Sequence, residues 1–157
     1  MEQKSKTISK RSANELAITR ILNAPRELVW EVWTNPEHIA KWWGPNGFTN
    51  TIHKMEVKEG GEFNFIMHGP DGTDYPNKIV FNKLVKPELI TYSHISAPKF
   101  DVTVTFKKYG DKTKVKIVML FNSAEDYDVA VNIHGAKEGL KQHVGRLKNF
   151  VEKMNAK

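Results

Sequence analysis

The chain has 157 residues, of which 39% are hydrophobic and 27% charged, and its formal net charge is +6. This length fits one domain, and the apolar fraction is well above that of disordered chains. The chain contains no cysteine, which excludes disulfide frameworks, zinc fingers, iron–sulfur clusters and thiol nucleophiles.

The positive charge is concentrated near the two ends of the chain. Residues 1–11 contain four Lys or Arg and one Glu, and residues 137–157 contain six Lys or Arg and two Glu. The intervening segment is therefore close to neutral. This distribution predicts a basic tail and the solvent face of a terminal helix rather than a groove that binds nucleic acid, so we expect no nucleic-acid partner.

The sequence also gives expectations about membranes and location. No stretch approaches the roughly 18 apolar residues that a membrane-spanning helix requires, so we expect no membrane insertion. The N-terminus lacks the apolar stretch of a secretory signal, which predicts a cytoplasmic protein. Residues 1–13 are polar, basic and aperiodic, which predicts a flexible basic tail before one folded domain at 14–157.

The first folded elements are predicted to be a strand and two short helices. Glu15–Leu22 has the composition of a strand. Pro25 and Pro36 each suit the first turn of a helix, which predicts one helix from Arg26 to about Thr34 and a second that stops at Gly44.

These two helices contain all four tryptophans of the chain. Trp30 and Trp33 lie one helical turn apart, whereas Trp42 and Trp43 are adjacent and cannot both face inward on one helix. We therefore expect one member of each pair in the core and the other partly exposed at the mouth of a cavity.

From about residue 48 the apolar residues alternate, which predicts strands. Phe63, Phe65 and Met67 share one face of a strand that ends at the turn 68–72. Short connections between successive strands are typical of an antiparallel meander. The further strands are predicted at 78–85, 89–96, 100–107 and 115–121.

Apolar residues at spacings of three and four predict one long C-terminal helix, from about Val129 to Met154, after a capping-box-like Ser123 and Asp126. A curved sheet with one apolar face requires a cover, and this helix is the one predicted element of sufficient length. A straight helix against a curved sheet leaves a gap lined by large aromatics, where a small apolar ligand would bind.

Five segments of the chain resemble, in order, the START-like (SRPBCC) superfamily, in the branch named after the activator of heat-shock protein 90 ATPase. They are APRELVW at 24–30, NPEHIAKWWGP at 35–45, EGGEF at 59–63, GPDG at 69–72 and KPELITY at 86–92. The resemblance implies an α+β helix-grip fold, in which a curved antiparallel sheet of about six to seven strands wraps around a long C-terminal helix. Two short helices would follow the first strand.

We expect the chain to bind a small hydrophobic or aromatic ligand in the internal cavity between the C-terminal helix and the sheet. The predicted ligand-binding residues are Trp33, Trp43, Phe63, Phe65, Met67, Tyr92, His94, Phe106, Met119 and Ile133. Tyr92 and His94 would orient a polar end of the ligand. Many relatives have Gly-Trp where this chain has Gly135-Ala136, so the resemblance implies an enlarged or reshaped cavity at that position.

Two alternatives remain open. A cyclase- or hydratase-like enzyme would use His94 or Tyr92 as acid or base. We nevertheless expect binding rather than catalysis and assign no catalytic residue, because a histidine at a strand end typically bonds to a backbone carbonyl and no other acid or nucleophile is placed to complete a site. A chaperone-associated protein would act through its surface, but the eukaryotic activator has a separate chaperone-engaging domain for which this chain has no room.

We expect no cofactor and no metal site. His134 and His143 lie nine positions apart in the predicted long helix and would therefore face opposite ways, and no other histidine accompanies a set of ligands. A homodimer is compatible with the glycines of the last helix.

Overall fold

The alternating segments build one antiparallel sheet in the computed structural model, which describes residues 8–9 and 14–156. Its spatial order is β1-β2-β8-β7-β6-β5-β4-β3, so β3 to β8 form the predicted meander and β2 pairs with the last strand. The strands are β1 (Ile8–Ser9), β2 (Glu15–Leu22), β3 (Thr49–Met55), β4 (Glu62–His68), β5 (Asp74–Val85), β6 (Leu89–His94), β7 (Phe100–Tyr109) and β8 (Lys112–Phe121).

The helices begin where the sequence provides a cap or a proline. Pro25 precedes α1 (Arg26–Thr34), and Asn35 accepts a hydrogen bond from the backbone N–H of Glu37 at the start of α2 (Pro36–Trp42). Ser123 accepts one from the N–H of Asp126 at the start of α3 (Ala124–Asp128). The last helix is α4 (Ala136–Asn155). The predicted α+β helix-grip arrangement is therefore confirmed, with seven long strands and the two-residue β1 at one edge.

The predicted continuous helix from Val129 to Met154 is wrong in its first part. Residues Val129–Ile133 form a π-helical turn, in which the N–H of His134 bonds to the carbonyl of Val129. Gly135 then adopts a left-handed conformation, with φ at +68°, which interrupts the helical path before α4 starts. This break decides which residues of the C-terminal region face the sheet.

The C-terminal part of α4 fills the core tightly. Val144, Leu147 and Val151 are fully buried against the inner face of the sheet and α1. The N-terminal part, from Ala136 to His143, instead faces an open space. The helix α4 therefore packs closely on the sheet in its C-terminal part and borders a cavity in its N-terminal part.

Smaller differences concern the strand ends and the N-terminal segment. β5 begins at Asp74 rather than 78, and β6 ends at His94 rather than 96. Of the predicted tail, the structure describes Ile8–Ser9, which pair with β2, and the other residues of 1–13 lie outside the described part. The flexibility of the tail stays a prediction. None of the described helices is long and apolar enough to cross a membrane.

Candidate functional site

A cavity of about 280 Å³, which is partly open to solvent, lies between the N-terminal part of α4 and the inner face of the sheet. Strands β4 to β8, the segment after α2 and the first turns of α4 form its walls. Six of the ten predicted ligand-binding residues line it: Trp43, Phe65, Met67, Tyr92, His94 and Met119. The side chains converge because they occupy alternate, inward positions on neighbouring strands.

The other four predicted residues do not reach the cavity. Phe63 stacks behind Phe65, with ring centroids 4.3 Å apart, and Trp33 and Phe106 pack on each other beneath α1. These three rings are buried in the solid part of the core. Ile133 is 71% exposed, because the π-helical turn and Gly135 rotate it away from the stripe of α4.

All four tryptophans are buried, which corrects the prediction that one of each pair is partly exposed. Trp42 ends α2 and donates its indole N–H to the carbonyl of Val32. Trp43 is the C-terminal cap and has an extended backbone, so the helical periodicity no longer applies to it. Both rings can therefore face inward, and Trp43 forms part of the cavity wall.

Sequence reasoning missed His143, which lines the cavity from α4. Its ring lies edge-on to Trp43, with centroids 4.6 Å apart, and its Nδ1 accepts a hydrogen bond of 3.0 Å from the backbone N–H of Gly44. Burial, together with the positive charge of Arg146, lowers the pKa of His143 from its ordinary 6.5 to about 3. The imidazole is therefore neutral at physiological pH.

Arg146 fixes the chain segment that carries Gly44. One guanidinium nitrogen donates to the carbonyls of Trp43, Gly44 and Pro45, at 3.1, 3.1 and 2.8 Å, and the other donates to the carbonyl of Lys41. The planar fork of arginine suits this convergent set of acceptors. The cavity wall after α2 is thus held to α4 by several hydrogen bonds.

Tyr92 is 94% buried on β6, and its ring lies 6.4 Å from that of Trp43. Burial raises the pKa of its phenol, so the hydroxyl keeps its proton throughout the physiological range. Within the described part of the chain, the hydroxyl forms no hydrogen bond to the protein. It is available to a group that enters the cavity.

His94 is held by its own surroundings. Nδ1 donates to the carbonyls of Ser96 and Pro98, at 2.9 and 2.8 Å, and Oδ1 of Asn77 lies 2.6 Å from Nε2. The ring also stacks on Phe100. Burial lowers the pKa of His94, and the two carbonyl contacts partly oppose this effect. The ring therefore orders the β6–β7 connection, as expected for a histidine at a strand end.

His134 and His143 both line the cavity, contrary to the expectation that they face opposite ways. That expectation assumed one straight helix, and the break at Gly135 removes its basis. The glycine directly after a histidine was the signal of a helix end in the sequence. No group of three or more His, Asp or Glu side chains within the described residues is arranged to hold a metal ion.

A second polar cluster lies on the outer face of the sheet. Nδ1 of His68 is 2.7 Å from a carboxylate oxygen of Asp74, and its Nε2 is 2.7 Å from the hydroxyl of Thr51. The order of groups is that of a catalytic triad. All three side chains are open to solvent, so the pair gains little from low dielectric, and we interpret it as a surface network.

The family model described as "Activator of Hsp90 ATPase homolog 1-like protein" matches residues 23–152. This match spans most of the chain. The chain belongs to this family. The resemblance of the five segments is thereby confirmed, and a comparison with proteins of curated function gives no match.

Solved structures show the same fold as this member of the Activator of Hsp90 ATPase homolog 1-like family. A protein from Arthrobacter aurescens has a TM-score of 0.87 at 21% identity, over 96% of this chain and 93% of its own. A protein from Nitrosomonas europaea has a TM-score of 0.83 at 20% identity, over 94% of this chain and 100% of its own. A protein from Chromobacterium violaceum has a TM-score of 0.79 at 23% identity, over 88% of this chain and 98% of its own. At these identities the likeness concerns the fold alone.

The family resemblance pointed to Gly135-Ala136 as a place where relatives have a larger residue. Both residues line the cavity, at the start of α4. The small side chain of Ala136 leaves room there that an indole would occupy. The expected effect on the cavity of a larger side chain at this position in relatives stays a prediction.

Proposed function

We propose that the protein binds a small, mainly apolar aromatic molecule in the cavity between α4 and the sheet. The observation that carries this proposal is a concave space of about 280 Å³ that is walled mainly by large apolar side chains beside the core. Concave apolar sites with few polar groups are the usual sites of small ligands.

The size of the cavity limits the size of the ligand. An apolar cavity of about 150 Å³ accepts benzene. A cavity of about 280 Å³ therefore suits about ten to thirteen non-hydrogen atoms, such as a substituted naphthalene.

The chemistry of the walls favours binding over catalysis. Neither ring nitrogen of His94 is free, and the Tyr92 phenol is a weak acid because burial raises its pKa. None of the described residues that line the cavity is Asp, Glu, Lys or Arg. A cyclase- or hydratase-like reaction that uses His94 or Tyr92 as acid or base is therefore not favoured by their surroundings.

The test uses a substitution that fills the cavity from α4. We expect the wild-type protein to bind 2-isopropylnaphthalene with a Kd of about 10 µM, as measured by fluorescence titration. Ala136→Trp should weaken binding at least about tenfold by occupying the same space. Ile133→Trp, which places an indole on an exposed side chain three positions earlier, is the matched control and should bind as wild type does.

Circular dichroism and thermal unfolding would show whether both variants fold. If Ala136→Trp is unfolded, Ala136→Leu provides a smaller obstruction at the same position. Failure of the wild-type protein to bind the naphthalene, or wild-type affinity in a folded Ala136→Trp variant, would contradict the proposal. A chaperone-associated role stays a prediction, and a chaperone pull-down that Ala136→Trp leaves unchanged would favour it.

A further inference from the structure

Two side chains of the cavity wall, His143 and Tyr92, offer hydrogen-bond donors that the described chain does not use. The clearest case is His143. Because Nδ1 accepts the N–H of Gly44, this nitrogen carries no proton, and the proton of the neutral ring must reside on Nε2. Among residues 14–156, no atom accepts a hydrogen bond from this Nε2–H. The backbone of Gly44 thus fixes His143 as a donor.

A second donor lies beside the same indole. The rings of His143 and Tyr92 approach Trp43 to 4.6 and 6.4 Å, so both groups border one region of the cavity. The Tyr92 side chain is 94% buried as a whole, and within the described structure its hydroxyl forms no hydrogen bond to the protein. The hydroxyl is therefore accessible to a ligand in the cavity and can donate to it.

The start of α4 adds a third donor region. Ala136 and Gly139 of its first turn line the cavity, and no side chain caps this end of the 20-residue helix. The first backbone N–H groups of a helix lack partners within the helix, and the positive end of its dipole favours electron-rich atoms nearby. The start of α4 therefore favours a hydrogen-bond acceptor, as the donors of His143 and Tyr92 do.

Building on the proposed function, we propose that the ligand is an uncharged aromatic molecule with a carbonyl-type oxygen. That oxygen accepts hydrogen bonds from Nε2–H of His143 and the hydroxyl of Tyr92. His94, which the sequence suggested as an orienting group, is already engaged with Ser96, Pro98 and Asn77.

The walls select against a charged ligand. The described lining contains no lysine or arginine, and His143 is neutral at physiological pH because burial lowers its pKa. A carboxylate would therefore lose its hydration without gaining a paired charge. A carbonyl oxygen loses less on desolvation and uses the same donors.

The test compares two probes that have the same number of non-hydrogen atoms. 2-Acetylnaphthalene carries a carbonyl, and 2-isopropylnaphthalene replaces it by a hydrocarbon group of similar shape. The quantity measured is the ratio of the hydrocarbon Kd to the ketone Kd. Tyr92→Phe removes only the hydroxyl and should lower this ratio by about threefold to tenfold. Tyr109→Phe, at an exposed tyrosine outside the cavity, should leave the ratio unchanged.

A second variant examines the histidine. In His143→Asn, the amide oxygen can still accept the N–H of Gly44, but no donor remains at the position of Nε2. The same ratio should fall by about threefold to tenfold. At pH 7.5, 2-naphthoate should bind the wild-type protein at least about tenfold more weakly than the ketone.

The outcomes separate this inference from the proposed function. If both naphthalenes bind and the ratio is unchanged in Tyr92→Phe and His143→Asn, the inference is wrong although the cavity binds ligands. Tighter binding of 2-naphthoate than of the ketone would also overturn the inference, since it would indicate an anion site. If neither naphthalene binds, the proposed function fails and the inference fails with it.

Discussion

At the scale of single residues, the hydrogen bonds of His94 and His143 give these two histidines of the cavity wall different roles. Both are buried enough to lower their pKa values. His94 uses its nitrogens on its own surroundings, whereas His143 uses one nitrogen on Gly44 and keeps the other free within the described chain. Composition alone would have ranked them equally, and the sequence suggested His94 as an orienting group, although its nitrogens are already engaged.

His143 should make stability depend on pH. Its pKa is about 3 in the folded protein and 6.5 when exposed, so the unfolded chain takes up a proton first as the pH falls below 6.5. The contribution is constant above pH 6.5 and is lost as the pH falls towards 3. Between pH 6.5 and 4.5 we expect the wild-type protein to lose about 2 to 3 kcal/mol of unfolding free energy from this group.

Urea unfolding at a series of pH values measures this loss. His143→Asn keeps an acceptor for Gly44 but does not titrate, so its stability should fall less steeply over the same pH range than that of the wild-type protein. Equal pH slopes for the two proteins would contradict the assignment of a His143 that is neutral in the folded protein.

At the scale of elements, the break between the π-helical turn and α4 determines the site. It turns Ile133 outward and brings the first turn of α4 to the cavity. The apolar spacing of three and four continues across the break, so periodicity alone predicted one helix. Gly135 was the one local signal of a helix end, and glycines also occur inside α4, at Gly139 and Gly145. Backbone conformation, which spacing does not encode, distinguishes them.

Two glycine substitutions should therefore have opposite signs. Gly135→Ala should destabilise the protein by about 1 kcal/mol, because φ is +68° and a Cβ is disfavoured there although no neighbour would touch it. Gly145→Ala, inside α4 and also without close neighbours, should stabilise it by about 0.5 to 1 kcal/mol. Urea unfolding of both variants checks this, and destabilisation of similar size in both would show that Gly135 does not form a special helix boundary.

At the scale of the whole molecule, the order of strands and helices followed from the sequence because alternation, prolines and capping residues are local signals. The shape of the cavity between α4 and the sheet could not be predicted from the sequence. Phe63, Phe65 and Met67 share one inward face as predicted, yet Phe63 fills the core while the other two line the cavity. Which inward residues meet a partner depends on where α4 stops touching the sheet, and that is a property of the assembled fold.

A Leu→Ala substitution should lower the unfolding free energy more in the C-terminal part of α4, which packs in the core, than in its N-terminal part, which borders the cavity. Leu147→Ala, in the filled end, should lower the unfolding free energy by about 3 to 4 kcal/mol. Leu140→Ala should cost about 2 kcal/mol, because this side chain borders the cavity and makes fewer contacts that can be lost. Denaturant unfolding of the pair measures the difference, and an equal or larger loss at Leu140 would indicate that the cavity is closed in solution.

The most direct test of the central claim is a titration of the wild-type protein, labelled with ¹³C at the methionine methyl groups, with 2-acetylnaphthalene. The chain has five methionines; Met67 and Met119 line the cavity, whereas Met55 and Met154 pack on the core elsewhere. We predict saturable shifts of the Met67 and Met119 signals, with those of Met55 and Met154 unchanged. Signals of Met67 and Met119 that stay in place up to the solubility limit, or equal shifts at all four, would contradict a binding cavity between α4 and the sheet.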